Sequence, residues 1–533
     1  MLFVLLALVW RPWIAPYGAR FARHTGWCML ALAILPVALR LLLLRGHPVP
    51  SPDVYDEFSH LLVADTLRHF RFANPPHALP QFFETFFVLQ RPTYSSIYPI
   101  GQGLSLAIGW MIFGLPWAGV LLSTAALCSL CYWMLRGWTT PGYALLGGML
   151  AVFEFGPLNQ WTNTYWGGGY TAAAGCLVFG ALPRLRNRWR ARDALVLGLG
   201  LAMHLLSRPF ESIFLVLSVM LFFVPEPRRL LKPALVAALV CLPALGIVAA
   251  QNKQVTGNWL TLPYSLSQYR YGVPTSFTFQ PHPVPHVPLT REQEMDYRMQ
   301  RAFRTVEKDT PSSYLARLVY RIRYYRFFFY PPLYLALIAF LAGIRRYRFA
   351  WVAATVLLFA LGTNFYPIFL THYIAAVVCL FILMSVEGLR TLSRWPAGAA
   401  AARVLIYLCV AQFAFSWTSI NFPYPERRIE IGRQLSRIPG KLLVLVRYWP
   451  QHIFQDEWVY NGADIDGSRI VWARDLGDTE DRKLLHYYPG RAVLLLEPDA
   501  RPPRLTPYRP EPPKPPEKPQ PATVPKIVFE PVL

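Results

Sequence analysis

The sequence predicts a polytopic α-helical membrane protein of about 11 transmembrane helices, with a small C-terminal α/β domain on its outer side. Three observations predict it. Of 533 residues, 54% are hydrophobic and only 15% charged, and mean hydropathy is +0.30; this balance argues against an ordinary soluble enzyme. Apolar windows of about 20 residues, the length that crosses a bilayer core, recur along most of the chain. Composition then changes after Trp417, where short strand and helix patterns replace the apolar windows.

The windows fall near residues 25–45, 116–135, 141–157, 169–183, 193–208, 210–225, 233–250, 327–343, 349–363, 372–388 and 402–418. The segment 1–10 is apolar but short, and the Arg11, Arg20 and Arg23 that follow suit a cytoplasmic flank. A further apolar stretch, 98–114, bears on topology. Counting it as a span would put the densest basic loop, RLRNRWRAR at 184–192, on the outer face, against the positive-inside rule. It is therefore expected to pack at the outer surface or re-enter the bilayer, which leaves the N-terminus inside and the C-terminus outside. The formal net charge of +22 is largely absorbed by such inner loops and gives no reason to invoke nucleic acid.

Three polar regions then face outward, near 46–115, 251–326 and 419–533. The first holds an amphipathic helix over 53–72, with Ser51 as a cap and Pro52 in its first turn. The second holds the loop-forming PHPVPHVP run and a charged helix at 290–308, a lid over an outward-facing cavity. The third divides into an α/β unit at 419–499 and a proline-rich extended tail at 500–533, so that 1–418 forms the membrane region. In the α/β unit, helices are expected at 425–438 and 478–487 and strands at 441–448, 470–473 and 492–497. The seven cysteines lie in or beside apolar stretches, and the Cys128–Cys131 pair reads as core packing.

The segment SPDVYDEFSH at 51–60 sets Asp56 and Glu57 near a helix start at the lipid surface. Acidic residues favour helix N-termini, so a purely structural reading competes with a chemical one. The remainder of this outer region, FANPPHALPQFFETF with Glu84 and LQRPTYSSIYPIGQGLSLA with Arg91 and the Tyr98–Gly101 turn, favours chemistry. Together these segments resemble the first outer loop of the GT-C glycosyltransferases, which use polyprenyl-phosphate sugars and include the protein O-mannosyltransferases and the lipid A aminoarabinose transferase. The likeness is clearest over 45–140 and departs at Ile100, where that pattern has a second proline.

The resemblance implies a GT-C-like fold in a bacterial inner membrane, an inverting glycosyltransferase, and Asp56 as catalytic base with Glu84 as an auxiliary carboxylate. Its partners would be a polyprenyl-phosphate sugar, a lipid, glycan or protein acceptor, and membrane lipids. The leaving phosphate requires cationic or hydrogen-bonding groups. Arg208, which interrupts the apolar pattern within SRPFE, is the leading choice, with Arg91 and His372 beside it; an Arg208–Glu211 ion pair is the structural alternative. Glu57, Tyr98 and Trp166, the last within NQWTNTYWGGG, are expected at the substrate. No residue pattern marks a metal site, although a divalent ion is compatible with the chemistry, and the lipid-linked donor is the one cosubstrate implied. Asp464 and Asp466 form a DxD pair whose glycine-rich surroundings read as a turn. An outer-face polymerase or ligase using a diphosphate-linked donor, and a non-enzymatic lipid or sugar transporter, are the competing classes.

Overall fold

The computed structural model describes residues 16–304, 309–421 and 426–509. The apolar segment 1–10 and the tail beyond 509 lie outside the described residues. Apart from 327–343, each apolar window within them is largely helical. The membrane region comprises α1 (Thr25–Leu42), α3 (Ile100–Phe113), α4 (Pro116–Leu135), α5 (Pro141–Phe155), α7 (Gly169–Asn187), α8 (Ala191–Ser207), α9 (Pro209–Phe222), α10 (Leu231–Thr256), α14 (Tyr334–Ala342), α15 (Tyr347–Thr363), α16 (Val378–Leu392) and α17 (Gly398–Ser419). Among the described residues five helices are long and apolar enough to cross a membrane, or six if one bent pair counts as a span: Thr25–Arg45, Pro116–Leu135, Pro227–Thr256, Thr371–Leu392 and Gly398–Ser419. The expected window at 327–343 is broken instead: Pro311–Phe328 and Pro331–Ala342 meet at 108° around Pro331.

Proline opens α4, α5 and α9 at the first turn, where its missing N–H costs nothing. Close packing comes from small residues. A Cβ on Gly109 would lie 2.0 Å from the Gly119 amide nitrogen, and one on Gly119 would lie 2.0 Å from the Ser105 carbonyl. The backbones of α3 and α4 therefore meet directly, the contact that substitutes for hydrophobic drive between helices in lipid. The expected packed or re-entrant stretch at 98–114 is thus the helix α3, set between α4 and the polar helix that precedes it in sequence.

That preceding helix, α2 (Tyr55–Arg68), starts later than the expected residue 53, and neither Ser51 nor Pro52 caps it. The reason is local: the Glu57 carboxylate accepts the Asp53 and Val54 amides at 2.8 and 3.2 Å, which satisfies the helix start from within and leaves 51–54 outside the helix. A two-residue hairpin, β1 (Val88–Leu89) with β2 (Ser95–Ser96), follows. The second polar region contributes α11 (Pro263–Tyr271), α12 (Arg291–Ala302) and α13 (Pro311–Ile322), with α6 (Gln160–Asn163) in the loop between α5 and α7.

The C-terminal unit contains α18 (Glu426–Arg437), β3 (Leu442–Val446), β4 (Ile470–Arg474), α19 (Asp478–Tyr487), β5 (Ala492–Glu497) and β6 (Arg504–Pro507). Strand order is β4-β3-β5-β6, parallel except for the last pair. β3 is buried throughout, as a continuous LLVLV run between two covered faces requires. One face packs on Ile431 and Leu435 of α18. The other shares its core with Leu62, Phe82, Phe83, Val88 and Tyr94, so the unit is built onto the first polar region. β6 corrects the expectation of an extended tail from residue 500: residues 504–507 pair with 494–497 and shield the β5 edge.

Candidate active site

Consecutive helical residues point about 100° apart, and α2 uses this to separate its two carboxylates. Glu57 turns inward and is 2% exposed. One of its oxygens takes the helix-start amides; the other accepts the Tyr165 amide at 2.7 Å. Expected beside the substrate, Glu57 is instead consumed as a clamp between α2 and the loop carrying Trp166. Asp56 turns the other way and retains accessible surface.

The Tyr98 hydroxyl donates to Asp56 Oδ1, and the Trp166 side chain favours the ionised form of the same carboxylate. The loop presenting Trp166 is shaped by its sequence. Asn159 caps α6 by accepting the Trp161 amide at 2.8 Å. Gly168, at φ +120°, lies so close to Trp161 that a Cβ would come within 2.3 Å of the ring. Buried Arg40, at the end of α1, pins the same loop by donating to Asn163 Oδ1 at 2.6 Å.

Burial raises the Asp56 carboxyl to about 6, against the opposing effects of the Tyr98 hydroxyl, the Trp166 side chain and the Arg208 charge. Arg208 occupies the break between α8 and α9, a position the following proline makes non-helical. Its guanidinium lies 4.8 Å from the Tyr373 ring centroid and 3.6 Å from Glu211. The ion pair considered from sequence is therefore present, and the charge of the same cation is felt at Asp56. His60, stacked on Tyr98 at 4.4 Å, is held neutral: burial first, then Arg208, lowers it to about 3. Buried His372 lies against Trp166, their ring centroids 5.4 Å apart and the planes tilted by 51°.

Asp56, Tyr98, Trp166, Arg208 and His372 are thus brought together. Glu84 and Arg91 are not joined to them. Glu84 lies behind the hairpin, where Gln293 Nε2 donates to it at 3.2 Å and burial raises its carboxyl. Arg91 is exposed in the hairpin turn. The second carboxylate whose charge is felt with that of Asp56 is Asp296 of α12, which sequence reading missed. Asp296 is 0% exposed and raised to about 7, first by burial and then by Asp56 despite a bond from Gln300. The available signal was the polar stripe Glu292, Gln293, Asp296 and Gln300 at helical spacing, all buried. The charge of Asp56 is also felt at Tyr55 and Tyr264.

The DxD pair closes a turn: Asp464 accepts the Gly467 amide at 2.9 Å, and Asp466 bonds His77 at 3.2 Å and the hydroxyls of Tyr487 and Tyr488. Among the described residues no group of three or more His, Cys, Asp or Glu is placed to hold a metal ion. The assembled site can accept a proton near neutral pH beside a fixed cation and several neutral donors.

No protein-family model and no curated protein matches the chain. Among solved structures it is similar in overall trace to ArnT from Cupriavidus metallidurans, at 12% identity in both cases. The TM-score is 0.49 for the apo state and 0.48 for the form bound to undecaprenyl phosphate, each covering 89% of this chain and 93% of that one. It is also similar to the oligosaccharyltransferase AglB from Archaeoglobus fulgidus in complex with an inhibitory peptide and a dolichol-phosphate, at 13% identity and a TM-score of 0.43, covering 80% of this chain and 62% of that one.

Proposed function

We propose that this integral membrane protein is an inverting glycosyltransferase that moves a sugar from a polyprenyl-phosphate carrier to an acceptor hydroxyl at the outer face. The observation that carries the reading is the juxtaposition of a partly accessible, raised carboxylate, Asp56, with the cation of Arg208 at the end of two membrane helices. A base and an anion site side by side at a lipid boundary suit a reaction that removes a proton from one reactant and releases a phosphate from the other.

Asp56 accepts the proton of the acceptor hydroxyl as that oxygen attacks the anomeric carbon. The bond from that carbon to the phosphate oxygen breaks, and its electron pair leaves with the polyprenyl phosphate. A single displacement inverts the anomeric configuration. Arg208 balances the charge gained by the phosphate, with the imidazole of His372 as a hydrogen-bonding neighbour. Tyr98 and Trp166 orient the carboxylate and keep it ionised. Sidedness follows from the basic loops, which leave the Asp56 end outside.

The test incubates the purified protein with labelled sugars on single-phosphate and on diphosphate polyprenyl carriers, with an envelope extract as acceptor source. Transfer from a single-phosphate donor supports the reading. Transfer from diphosphate donors alone overturns it in favour of a polymerase or ligase.

A further inference from the structure

The Asp56 cluster draws on α12, yet α12 belongs to a long loop between membrane helices and half of its residues are charged. Something must hold it in place, and the contacts converge on one side chain. Arg474 ends β4 and is 4% exposed. It donates Nη1 to Glu292 Oε2 at 2.6 Å, Nε to the Glu84 carbonyl at 2.6 Å, and Nη2 to Glu457 Oε2. One guanidinium therefore joins the second polar region, the first polar region and the C-terminal unit. Glu457 is itself fixed, accepting the Trp458 and Val459 amides at 3.0 and 2.9 Å and the Tyr448 hydroxyl.

The neighbouring residue on α12 doubles the link, since Gln293 reaches Glu84 from the same turn. One turn further on stands Asp296, whose free oxygen, Oδ1, is buried without a hydrogen-bond partner. At the far end, Gln300 accepts the Thr275 amide at 2.8 Å and donates to Asp296. A planar fork serving three acceptors in fixed directions sets position as well as charge, which an ammonium cannot reproduce.

We propose that the C-terminal unit is a positioning element of the active site: Arg474 holds the first turn of α12 so that Asp296 stays beside Asp56. Arg474 is a positioning residue, acting through α12 and touching no reactant. The kinetic consequence rests on the transferase reading above; the mechanical one does not.

The test is hydrogen exchange on the full-length protein in lipid nanodiscs, with Arg474→Lys and, as a gentler cut of the same link, Glu292→Gln. The expected result is exchange at least about tenfold faster across 291–302 in both variants, with the strands 442–446 and 492–497 as protected as in wild type. Unchanged exchange over 291–302 in both variants overturns the proposal. If Arg474→Lys also loosens the strands, Glu292→Gln alone decides. Asp296→Asn separates anchor from effect: exchange over 291–302 stays as in wild type, while turnover of a labelled polyprenyl-phosphate sugar falls as it does in Arg474→Lys, with polyprenyl phosphate binding unchanged in both. Full turnover in Asp296→Asn contradicts the proposed purpose of the anchor. Absence of transfer by wild type with every donor would sink the transferase reading and leave the exchange result standing.

Discussion

Tyr98→Phe removes one oxygen atom and isolates one interaction. The Tyr98 hydroxyl donates to the ionised form of Asp56 and so opposes the burial that raises this carboxyl to about 6. A hydrogen bond to a charged group contributes about 1.5–3 kcal/mol, and one pKa unit corresponds to about 1.4 kcal/mol. Losing the bond should move Asp56 upward by about one to two units, to roughly 7–8. At pH 6 the ionised fraction would drop from about one half to between roughly a tenth and a hundredth, an approximately 5- to 50-fold loss of rate. Near pH 9 the variant and wild type should converge, because Asp56 is ionised in both. The assay is the initial rate of label transfer from a polyprenyl-phosphate sugar between pH 5 and 9. An acid limb that does not move, or a loss of equal size at every pH, would refute Asp56 as the ionising base held by Tyr98.

Arg208→Gln should weaken polyprenyl phosphate binding by at least tenfold and destabilise the protein by about 3–5 kcal/mol, because Glu211 is left buried without its cation. The double variant Arg208→Gln/Glu211→Gln should recover thermal stability but not binding; recovered binding would argue against a phosphate role. Glu57→Gln should cost about 1–3 kcal/mol by leaving an amide of the helix start or of Tyr165 unmatched, read as a lowered melting temperature, with donor binding retained. Gly168→Ala should disturb the Trp166 loop, since φ is +120° and the new methyl meets the Trp161 ring; unaltered fluorescence and activity would show that this loop does not position Trp166.

Much of the site was legible because polar residues are scarce in such a chain. Asp56, Tyr98, Trp166, Arg208 and His372 each stand out at or beyond the edge of an apolar window, where a polar or amphipathic group needs a partner. Adjacency in sequence misled at two places. Glu57 shares a dipeptide with Asp56, but successive helical residues face apart, and only the fold reveals that the Tyr165 amide waits on the inner side. Glu84 lies in the same polar region as Asp56, yet the hairpin turns it toward Gln293. Asp296 is some 240 positions from Asp56, and no local pattern encodes that meeting. The helices of the C-terminal unit and its three parallel strands follow from hydrophobic runs, whereas β6 is short, lies between prolines and is defined by pairing with β5. The shared core between the sheet and residues 82–94 is likewise a tertiary property.

The central claim is that Asp56 takes the acceptor proton. Its most direct test compares wild type with Asp56→Asn for single-turnover label transfer from a bound polyprenyl-phosphate sugar, with polyprenyl phosphate binding measured on the same preparations. The account predicts that Asn, which keeps the shape and accepts the Tyr98 bond but cannot take the proton, lowers transfer by about 10²–10⁴ while binding stays within about twofold, far less than a 1.4 kcal/mol change. Transfer that survives the substitution at the wild-type rate would contradict it.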